Sequence, residues 1–277
     1  MTDNINTNNT DTNATTTDTT EKKKRVRKVA EPLNLYYDHD QYTYEICIDE
    51  CARGPFLGDV YIACAIIGRA VDFDYSGIKD SKKFSSKKKM KEVAELIKSK
   101  FLFHHITSVS VADIDNTDIL QAVFKGMHAC VKSAVEKICE LEQQNPKFDL
   151  FRDIIILVDG DKFRPYMIFD EARGTMRHLI HTTIEQGDAK YVGIAGASII
   201  AKVAHDEYIY KLCETYPQLT QRYAIDSNVG YGTAKHIEGI RRWGITQFHR
   251  RTFGICKTQD VTVLVAGERD PDDDGDE

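Results

Sequence analysis

The sequence predicts an α/β fold, and three observations carry that prediction. Short apolar runs of strand length recur, among them Val60–Ile67 and Ile154–Val158. Segments with apolar residues every three or four positions lie between them, and the clearest extends from Leu120 to Leu141. The stretch from Leu35 to Ala266 has about 230 residues, enough for one large α/β domain or for a domain with a helical extension.

The individual elements follow from local patterns. Tyr44, Ile46 and Ile48 alternate with more polar residues, which predicts a strand. The run Val60–Ile67 is expected to pair antiparallel with it through the turn at Arg53–Pro55. The other expected elements are a helix from Ser85 or Ser86 to about Lys100, a strand within Phe101–Val111, a helix capped by Asn116 or Thr117 that reaches Leu141, strands at Ile154–Val158 and Leu179–Ile184, a helix from Ile194 to about Tyr216, and a short helix after Thr233.

Both ends of the chain differ in composition from the predicted α/β domain. Met1–Thr20 consists almost entirely of Thr, Asn and Asp, so it cannot bury apolar surface. Glu21–Lys28 is a dense basic run, which is typical of a nuclear import signal, of a nucleic-acid-binding arm or of a solubilising linker. The predicted organisation is a disordered tail (1–40), a folded domain with C-terminal helices (41–256) and an acidic tail (257–277).

The charge of the chain is concentrated at its C-terminal end. Glu268–Glu277 holds seven acidic residues and one Arg, which accounts for the whole formal net charge of −6. The rest is therefore close to neutral (−6 minus −6 is 0), and its charge does not argue against a nucleic-acid partner.

Composition also bears on location. No run approaches about 18 apolar residues, so no membrane span is expected, and no apolar segment follows the basic run as in a secretory signal. The seven cysteines are odd in number and lack Cys-x-x-Cys spacing, which favours free thiols in a reducing compartment over a zinc site. A cytoplasmic location is expected, with nuclear import through residues 21–28 as the alternative.

Four acidic residues stand at strand ends or just beyond them. Asp49 and Glu50 follow the first strand at a point where we expect it to end or bend, and Asp159 ends the buried run before Gly160. Asp188 lies in the loop after the strand Leu179–Ile184. Each acid alone is typical of a solvated turn. Together they indicate a site for divalent metal ions such as Mg²⁺ or Mn²⁺, and hence a metal-dependent nuclease or phosphotransferase.

The order of short motifs along the chain resembles that of ribonuclease HII, the type 2 ribonuclease H family. The resemblance covers about residues 44–253. The motifs that carry it are Ile-Asp-Glu-Cys-Ala-Arg-Gly-Pro (48–55), Asp-Ser-Lys-Lys-Phe (80–84), Ile-Leu-Gln-Ala (119–122), Val-Asp-Gly (158–160), Gly-Asp-Ala-Lys (187–190), Ala-Ser-Ile-Ile-Ala-Lys (197–202), Gly-Tyr-Gly-Thr (230–233) and His-Arg-Arg-Thr-Phe (249–253).

This resemblance implies a ribonuclease H-like mixed sheet flanked by helices, with a C-terminal helical portion. It implies endonucleolytic hydrolysis of RNA in RNA–DNA hybrids and at ribonucleotides embedded in duplex DNA, with two metal ions and with 5′-phosphate and 3′-hydroxyl products. Asp49, Glu50, Asp159 and Asp188 match the catalytic acids that bind Mg²⁺ or Mn²⁺.

Further residues are expected to contact the nucleic acid: Arg53, Gly54, Lys82, Lys83, Ser198, Lys202 and Tyr231. Tyr231 matches the tyrosine that the family uses at the RNA–DNA junction. Lys82 and Lys83 suit phosphate contacts that position a duplex without reading its bases. Ser198 and Lys202, at the start of a helix, either meet phosphate or serve as ordinary capping and surface residues.

One departure from the family pattern concerns recognition. The family has Gly-Arg-Gly where backbone groups read the 2′-hydroxyl, and this chain has Ala52-Arg53-Gly54. If φ is positive at position 52, alanine is strained there by about 1 kcal/mol or more. Such strain would loosen discrimination at a single embedded ribonucleotide and leave metal binding intact.

Two rival functions stay open from sequence. One is another magnesium nuclease of the same fold, such as a junction resolvase or integrase. The other is a hybrid-binding protein that has lost turnover, although four retained acids would then destabilise the fold without benefit. A monomer is expected, and contact with a replication clamp is only a conjecture because the tail shows no convincing clamp-binding motif.

Overall fold

A computed structural model describes residues 32–270 of the chain. Its strands are β1 (Tyr44–Cys51), β2 (Val60–Ile66), β3 (Phe103–Val109), β4 (Ile154–Asp159), β5 (Met167–Asp170), β6 (Thr175–His178), β7 (Ile180–Ile184), β8 (Ile245–Thr246) and β9 (Val261–Thr262). Its helices are α1 (Lys87–Lys100), α2 (Val111–Asn116), α3 (Ile119–Glu142), α4 (Leu150–Asp153), α5 (Val192–Thr215), α6 (Gln218–Tyr223), α7 (Ile225–Asn228) and α8 (Ala234–Trp243).

A five-stranded mixed sheet in the order β3-β2-β1-β4-β7 forms the centre. β1 pairs antiparallel with β2, and β2 pairs antiparallel with β3. β4 runs parallel to both β1 and β7, with Ile48 opposite Val158 and Asp159 opposite Ile184. The predicted α/β mixed sheet and the antiparallel pairing of its first two strands are confirmed.

The two faces of the sheet are covered by different helices. Ile46 and Ile48 point to the face that packs on α3, where Met127 and Ile138 are buried. The other face packs against α5 and α1. The backbone of α5 comes very close to β1, because a Cβ atom added at Gly193 would lie 2.4 Å from Sγ of Cys47. The small residues of this helix therefore set its distance from the sheet.

The C-terminal part of the described chain is helical, as predicted. α6, α7 and α8 follow α5 and share a core with it, in which Leu57, Ile209, Tyr223 and Ile240 are buried. α8 matches the short helix expected after Thr233. None of the helices within residues 32–270 has the length and apolar character needed to cross a membrane.

Some boundaries and small elements differ from the sequence prediction. α3 is capped by Asp118, whose carboxylate accepts from the N–H of Gln121 at 2.9 Å, so the expected cap at Asn116 or Thr117 is wrong. A short additional helix, α2, occupies the residues just before it. α5 begins at Val192, two residues before the predicted start at Ile194. The hairpin formed by β5 and β6 was not predicted either.

Parts of both predicted tails (1–40 and 257–277) contact the folded body, so residues 34–36 are ordered where the sequence predicted disorder. The N–H of Asn34 donates to the carbonyl oxygen of Lys190 at 2.8 Å, and the hydroxyl of Tyr36 donates to that of Gly68 at 2.6 Å. β9 pairs with β8 near the other end. The domain boundaries stay predictions. The basic run 21–28 lies outside the described residues, as do the last seven residues of the acidic tail.

Candidate active site

Asp49 and Glu50 lie within β1. The sequence predicted that the strand ends or bends there, but β1 continues through both residues to Cys51. Their side chains therefore point to opposite faces of the sheet, Asp49 towards α5 and Glu50 towards α3. They can still share a site because the pairing of β1 with β4 stops at Ile48, which leaves an open corner beyond it.

Asp159 and Asp188 complete this corner from the neighbouring strands. Asp159 is the last residue of β4 and follows the pair Ile48–Val158, which places it beside Asp49. Its Oδ1 accepts from the N–H of Gly187 at 2.6 Å and from that of Asp188 at 3.3 Å. The loop after β7 thus fixes the Asp159 carboxylate and brings Asp188 next to it.

A cleft of about 280 Å³ opens at this corner. It brings together most of the residues that the sequence singled out: Asp49, Glu50, Arg53, Gly54, Lys82, Asp159, Ser198, Lys202 and Tyr231. Asp188 joins the group through Lys82, whose Nζ lies 3.4 Å from its Oδ2. Lys83 does not line the cleft. It is turned towards its own loop, with Nζ 3.8 Å from Oδ2 of Asp80.

The carboxylates of this corner disfavour the ionised form of one another. Burial raises the pKa of Asp49 well above its ordinary value, and the nearby Asp159 and Glu50 raise it further. A hydrogen bond from Ser198 and the N–H of Glu50, 2.7 Å from Oδ1, opposes the rise. Burial likewise raises the pKa of Asp159, with Asp188 adding to it.

The pKa of Glu50 is also raised, first by burial and then by Asp159, although Arg53 partly compensates, with Nη1 3.7 Å from Oε1 of Glu50. Lys82 and Arg53 are thus the cations nearest the acids. No three His, Cys, Asp or Glu side chains within residues 32–270 converge as a ready-made metal site. The donor set nevertheless suits a hard divalent cation, because it consists of carboxylate oxygens whose negative charge exceeds the local positive charge.

Ser198 and Lys202 are placed differently from the prediction. Ser198 lies in the second turn of α5, not at its start, and only 6% of it is exposed. Its hydroxyl lies 3.1 Å from Oγ of Ser81 and supports Asp49. Nζ of Lys202 lies 2.7 Å from Oδ1 of Asp206, so this lysine enters the cleft already paired.

Two buried histidines hold the backbone of Tyr231. The N–H of Thr246 donates to Nδ1 of His249 at 2.9 Å, and the Nε2 atoms of His249 and His236 are 3.0 Å apart. Nδ1 of His236 lies 3.0 Å from the carbonyl oxygen of Tyr231. Because a carbonyl oxygen only accepts, His236 carries its proton on Nδ1 and His249 carries its proton on Nε2. Every contact is satisfied when both rings are neutral.

This arrangement leads us to expect acid sensitivity. Burial, reinforced by His236, lowers the pKa of His249 from 6.5 to about 3. The stabilising effect of the neutral ring is complete above pH 6.5 and is lost as the pH falls, since the unfolded chain then binds the extra proton. Between pH 7.5 and pH 5 the free energy of unfolding should fall by about 2 kcal/mol from this residue.

The measurement is urea unfolding at several pH values of the wild type and of His249→Asn, which cannot take up this proton. Because the acids of the cleft titrate with the opposite sign, the difference between the two pH slopes is the informative quantity. Equal slopes between pH 7.5 and pH 5 would show that His249 does not titrate as expected.

Ala52 has φ of 66°, the left-handed conformation that the sequence analysis considered. It is also buried, with 3% of its surface exposed. A β-carbon is unfavourable at this φ because it approaches the following carbonyl oxygen. The expected strain at the departure from the family's Gly-Arg-Gly is therefore present.

We expect Ala52→Gly to stabilise the protein by about 1 kcal/mol, since glycine adopts a positive φ without strain. Ala94→Gly within α1 is the matched control, and it should lower the stability by a similar amount. Thermal unfolding of both variants checks the signs. A destabilised Ala52→Gly would mean that the backbone at this position is not strained.

Sequence reasoning missed two contributors to the site. Asp206 binds Lys202 and also lies 3.0 Å from Nδ1 of His205. The spacing of Lys202 and Asp206, four residues apart on one helix, could have indicated this pair. Arg250 was seen only as part of the motif at 249–253, yet it is fully buried beneath the Ala52–Gly54 segment. No pattern in the sequence distinguishes it from the exposed Arg251.

Comparisons with known proteins show the family to which the chain belongs. The family model of ribonuclease HII matches residues 46–256. A ribonuclease HII of Parabacteroides distasonis is 35% identical over 211 residues, which cover 76% of this chain and 90% of that protein. Another, of Shouchella clausii, is 34% identical over 206 residues, which cover 74% of this chain and 66% of that protein.

Two solved structures share the fold. The ribonuclease HII in a PCNA complex from Archaeoglobus fulgidus has a TM-score of 0.52 and 23% identity, covering 76% of this chain and 96% of that one. The ribonuclease H2 of Pyrococcus horikoshii has a TM-score of 0.50 and 22% identity, covering 77% and 95%. The predicted ribonuclease H-like fold is confirmed, and the chain belongs to the ribonuclease HII family of endoribonucleases.

Proposed function

We propose that this protein hydrolyses RNA within RNA–DNA hybrids and at ribonucleotides embedded in duplex DNA, by a two-metal-ion mechanism that leaves 5′-phosphate and 3′-hydroxyl ends. The observation that carries the proposal is the corner of the sheet where Asp49, Glu50 and Asp159 line one cleft, with Asp188 attached to it. Tyr231 stands in the wall of the same cleft, 43% exposed. The acids that would bind metal and the aromatic ring that would contact a sugar thus line the same cleft.

Asp49, Glu50, Asp159 and Asp188 would hold the metal ions, and we propose Mg²⁺ or Mn²⁺. Such ions, when bound, activate the attacking water and stabilise the leaving 3′-oxygen. The chain itself fixes the carboxylates, since Ser198 supports Asp49 and the N–H of Gly187 holds Asp159. A carboxylate held in this way needs little reorganisation when it binds a cation.

Lys82 is suited to phosphate. Its side chain is 82% exposed and contacts Asp188 only at 3.4 Å, so it can exchange this partner for a phosphate oxygen of the substrate. Lys202 is held more firmly by Asp206 and acts as a fixed positive charge in the wall. Lys83 lies outside the cleft, and any phosphate contact it makes is peripheral.

Recognition of the sugar is assigned to two sides of the cleft. The backbone of Arg53 and Gly54 would contact the 2′-hydroxyl of the ribose, the group that distinguishes RNA from DNA. The ring of Tyr231 would pack on the neighbouring deoxyribose, where a 2′-hydroxyl does not fit. A β-carbon at Gly54 would lie 3.9 Å from Cε1 of Tyr231, so the two sides are adjacent.

Cleavage of two labelled duplexes tests the proposal, one with a single ribonucleotide and one with a run of four. We expect the wild type to cut one or both in Mg²⁺ or Mn²⁺ and neither in EDTA. The product ends should be 5′-phosphate and 3′-hydroxyl. Retardation of both duplexes without cleavage would instead favour a binding protein that has lost turnover.

The remaining expectations stay proposals. We propose that the enzyme acts as a monomer in the cytoplasm, with nuclear import through residues 21–28 as the alternative. Sedimentation analysis and localisation of a fluorescent fusion, with and without these residues, test both points. Although one protein of similar fold is in complex with PCNA, we do not propose a clamp partner for this chain.

A further inference from the structure

We propose that Arg250 is a positioning residue for ribose recognition, because its buried guanidinium sets the orientation of the peptide groups at Ala52–Gly54. This inference rests on the proposed function of the cleft. It assigns a role to a residue that does not line the cleft.

The contacts of Arg250 are unusual for an arginine. It is fully buried, and its donors go to backbone carbonyl oxygens and not to a carboxylate. Nη2 donates to the carbonyl oxygen of Ala52 at 2.7 Å, Nη1 to that of Arg53 at 3.0 Å, and Nε to that of Gly58 at 2.8 Å. The rigid fork of the guanidinium thus binds three points of one loop at once.

The backbone of Arg250 extends the same contact. Its N–H donates to the carbonyl oxygen of Phe56 at 2.8 Å, and the N–H of Phe56 donates in turn to the carbonyl oxygen of Gly230 at 2.8 Å. Gly230 directly precedes Tyr231. Arg250 therefore connects the loop on one side of the cleft to the chain that carries the aromatic residue on the other side.

The contacts of Arg250 also determine where the N–H groups of Arg53 and Gly54 point. In a planar trans peptide the carbonyl of one residue and the N–H of the next point in opposite directions. Because the carbonyls of Ala52 and Arg53 accept from Arg250, the N–H groups of Arg53 and Gly54 point away from it. Since both residues line the cleft, we infer that these N–H groups face it. Within residues 32–270 neither N–H donates to another backbone group.

The loop needs this restraint because Ala52 is held at φ of 66°, which is unfavourable for alanine. A loop under such strain would relax if its carbonyls were released, and the two N–H groups would turn with their peptide planes. Arg250 thus maintains a pair of donors for a 2′-hydroxyl group. Burying a guanidinium that no carboxylate contacts directly costs free energy, and this role in recognition explains why the fold bears that cost.

The test compares binding of two 20-base-pair duplexes of the same sequence, one all DNA and one with a single ribonucleotide, in EDTA so that neither is cleaved. The variants are Arg250→Lys, whose single ammonium cannot span three carbonyls, and the exposed neighbour Arg251→Lys as the matched control. We expect Arg250→Lys to reduce the preference for the ribonucleotide duplex about tenfold, the effect of losing about one hydrogen bond. The affinity for all-DNA duplex should change less than about twofold, as should both affinities of Arg251→Lys.

Circular dichroism and thermal unfolding measure the folded fraction of each variant. A purely structural role would lower both affinities equally, and an unchanged preference in folded Arg250→Lys would overturn the proposal. Arg250→Gln, which is neutral and avoids an unpaired buried charge, repeats the test if the lysine variant does not fold. Failure of both to fold would also overturn it, because Arg250 would then belong to the fold and not to recognition.

Cleavage by the wild type distinguishes failure of this inference from failure of the proposed function on which it rests. If the wild type fails to cut either ribonucleotide-containing duplex in Mg²⁺ or Mn²⁺, the proposed function fails. If it cuts them and Arg250→Lys keeps the full ribonucleotide preference, only the role of Arg250 is wrong.

Discussion

Asp159→Asn is expected to lower metal-dependent cleavage by at least about 10³-fold. Asp159 lies between Asp49 and Asp188. A neutral amide at position 159 therefore removes a carboxylate that is next to both of these acids. The amide oxygen can still accept from the N–H of Gly187, which keeps the loop after β7 in place. Hybrid affinity should therefore remain, since phosphate and sugar contacts are unaffected.

The same substitution should raise thermal stability in EDTA. Burial and Asp188 raise the pKa of Asp159 in the folded protein. A carboxyl group with a raised folded-state pKa is stabilising only at low pH, and this effect is lost as the pH rises from its unfolded value through its folded value. At neutral pH the ionised group opposes folding, and Asn removes that cost. A variant that is more stable, binds hybrid and does not cut it would be the signature of a metal-binding acid.

Glu185→Gln provides the matched control for Asp159→Asn. Glu185 is an exposed acid in the loop after β7, and its replacement removes one negative charge near the same corner. Its cleavage rate should stay within about twofold of the wild type, because an exposed charge is screened by solvent. Single-turnover cleavage in Mg²⁺ and in Mn²⁺ measures both variants. A comparable loss in Glu185→Gln would mean that general electrostatics, and not Asp159 itself, controls the rate.

The sequence was sufficient to locate the acids because strand ends are visible in apolar runs. Ile154–Val158 and the alternation around Ile46 identify β4 and β1, and the carboxylates simply follow. The antiparallel pairing of β1 and β2 was also predictable, since a Gly-Pro turn separates two runs of strand length. Long helices such as α3 show their apolar stripe directly.

Other features depend on tertiary contacts that leave no local pattern. Glu50 remains within β1 because β2 continues to pair there after β4 has diverged, which a single strand cannot reveal. Ser198 lies in the second turn of α5, and not at the expected helix start, because the helix begins at Val192. Arg250 and Arg251 are identical in type, and only the fold decides that the first is buried and the second exposed.

Gly239→Ala is expected to destabilise the protein by about 3 kcal/mol, the largest stability effect that we expect from a single methyl group. A Cβ atom at this position of α8 would lie 2.1 Å from the carbonyl oxygen of Arg222 and 2.9 Å from Cδ1 of Tyr223. The first of these atoms belongs to the backbone at the end of α6, so it cannot move aside as a flexible side chain would. α8 and α6 must separate to accept the methyl group.

Gly77→Ala is the control for Gly239→Ala, since its added Cβ would meet only Val93 at an ordinary 3.9 Å. For a domain of this size the melting temperature of Gly239→Ala should fall by about 6–12 °C, while that of Gly77→Ala should change little. Displacement of α8 also moves His236, which holds the carbonyl of Tyr231. Cleavage by folded Gly239→Ala should consequently weaken at a temperature well below its melting point. A variant with lowered stability but unchanged cleavage would show that the position of Tyr231 does not depend on the packing of α8 against α6.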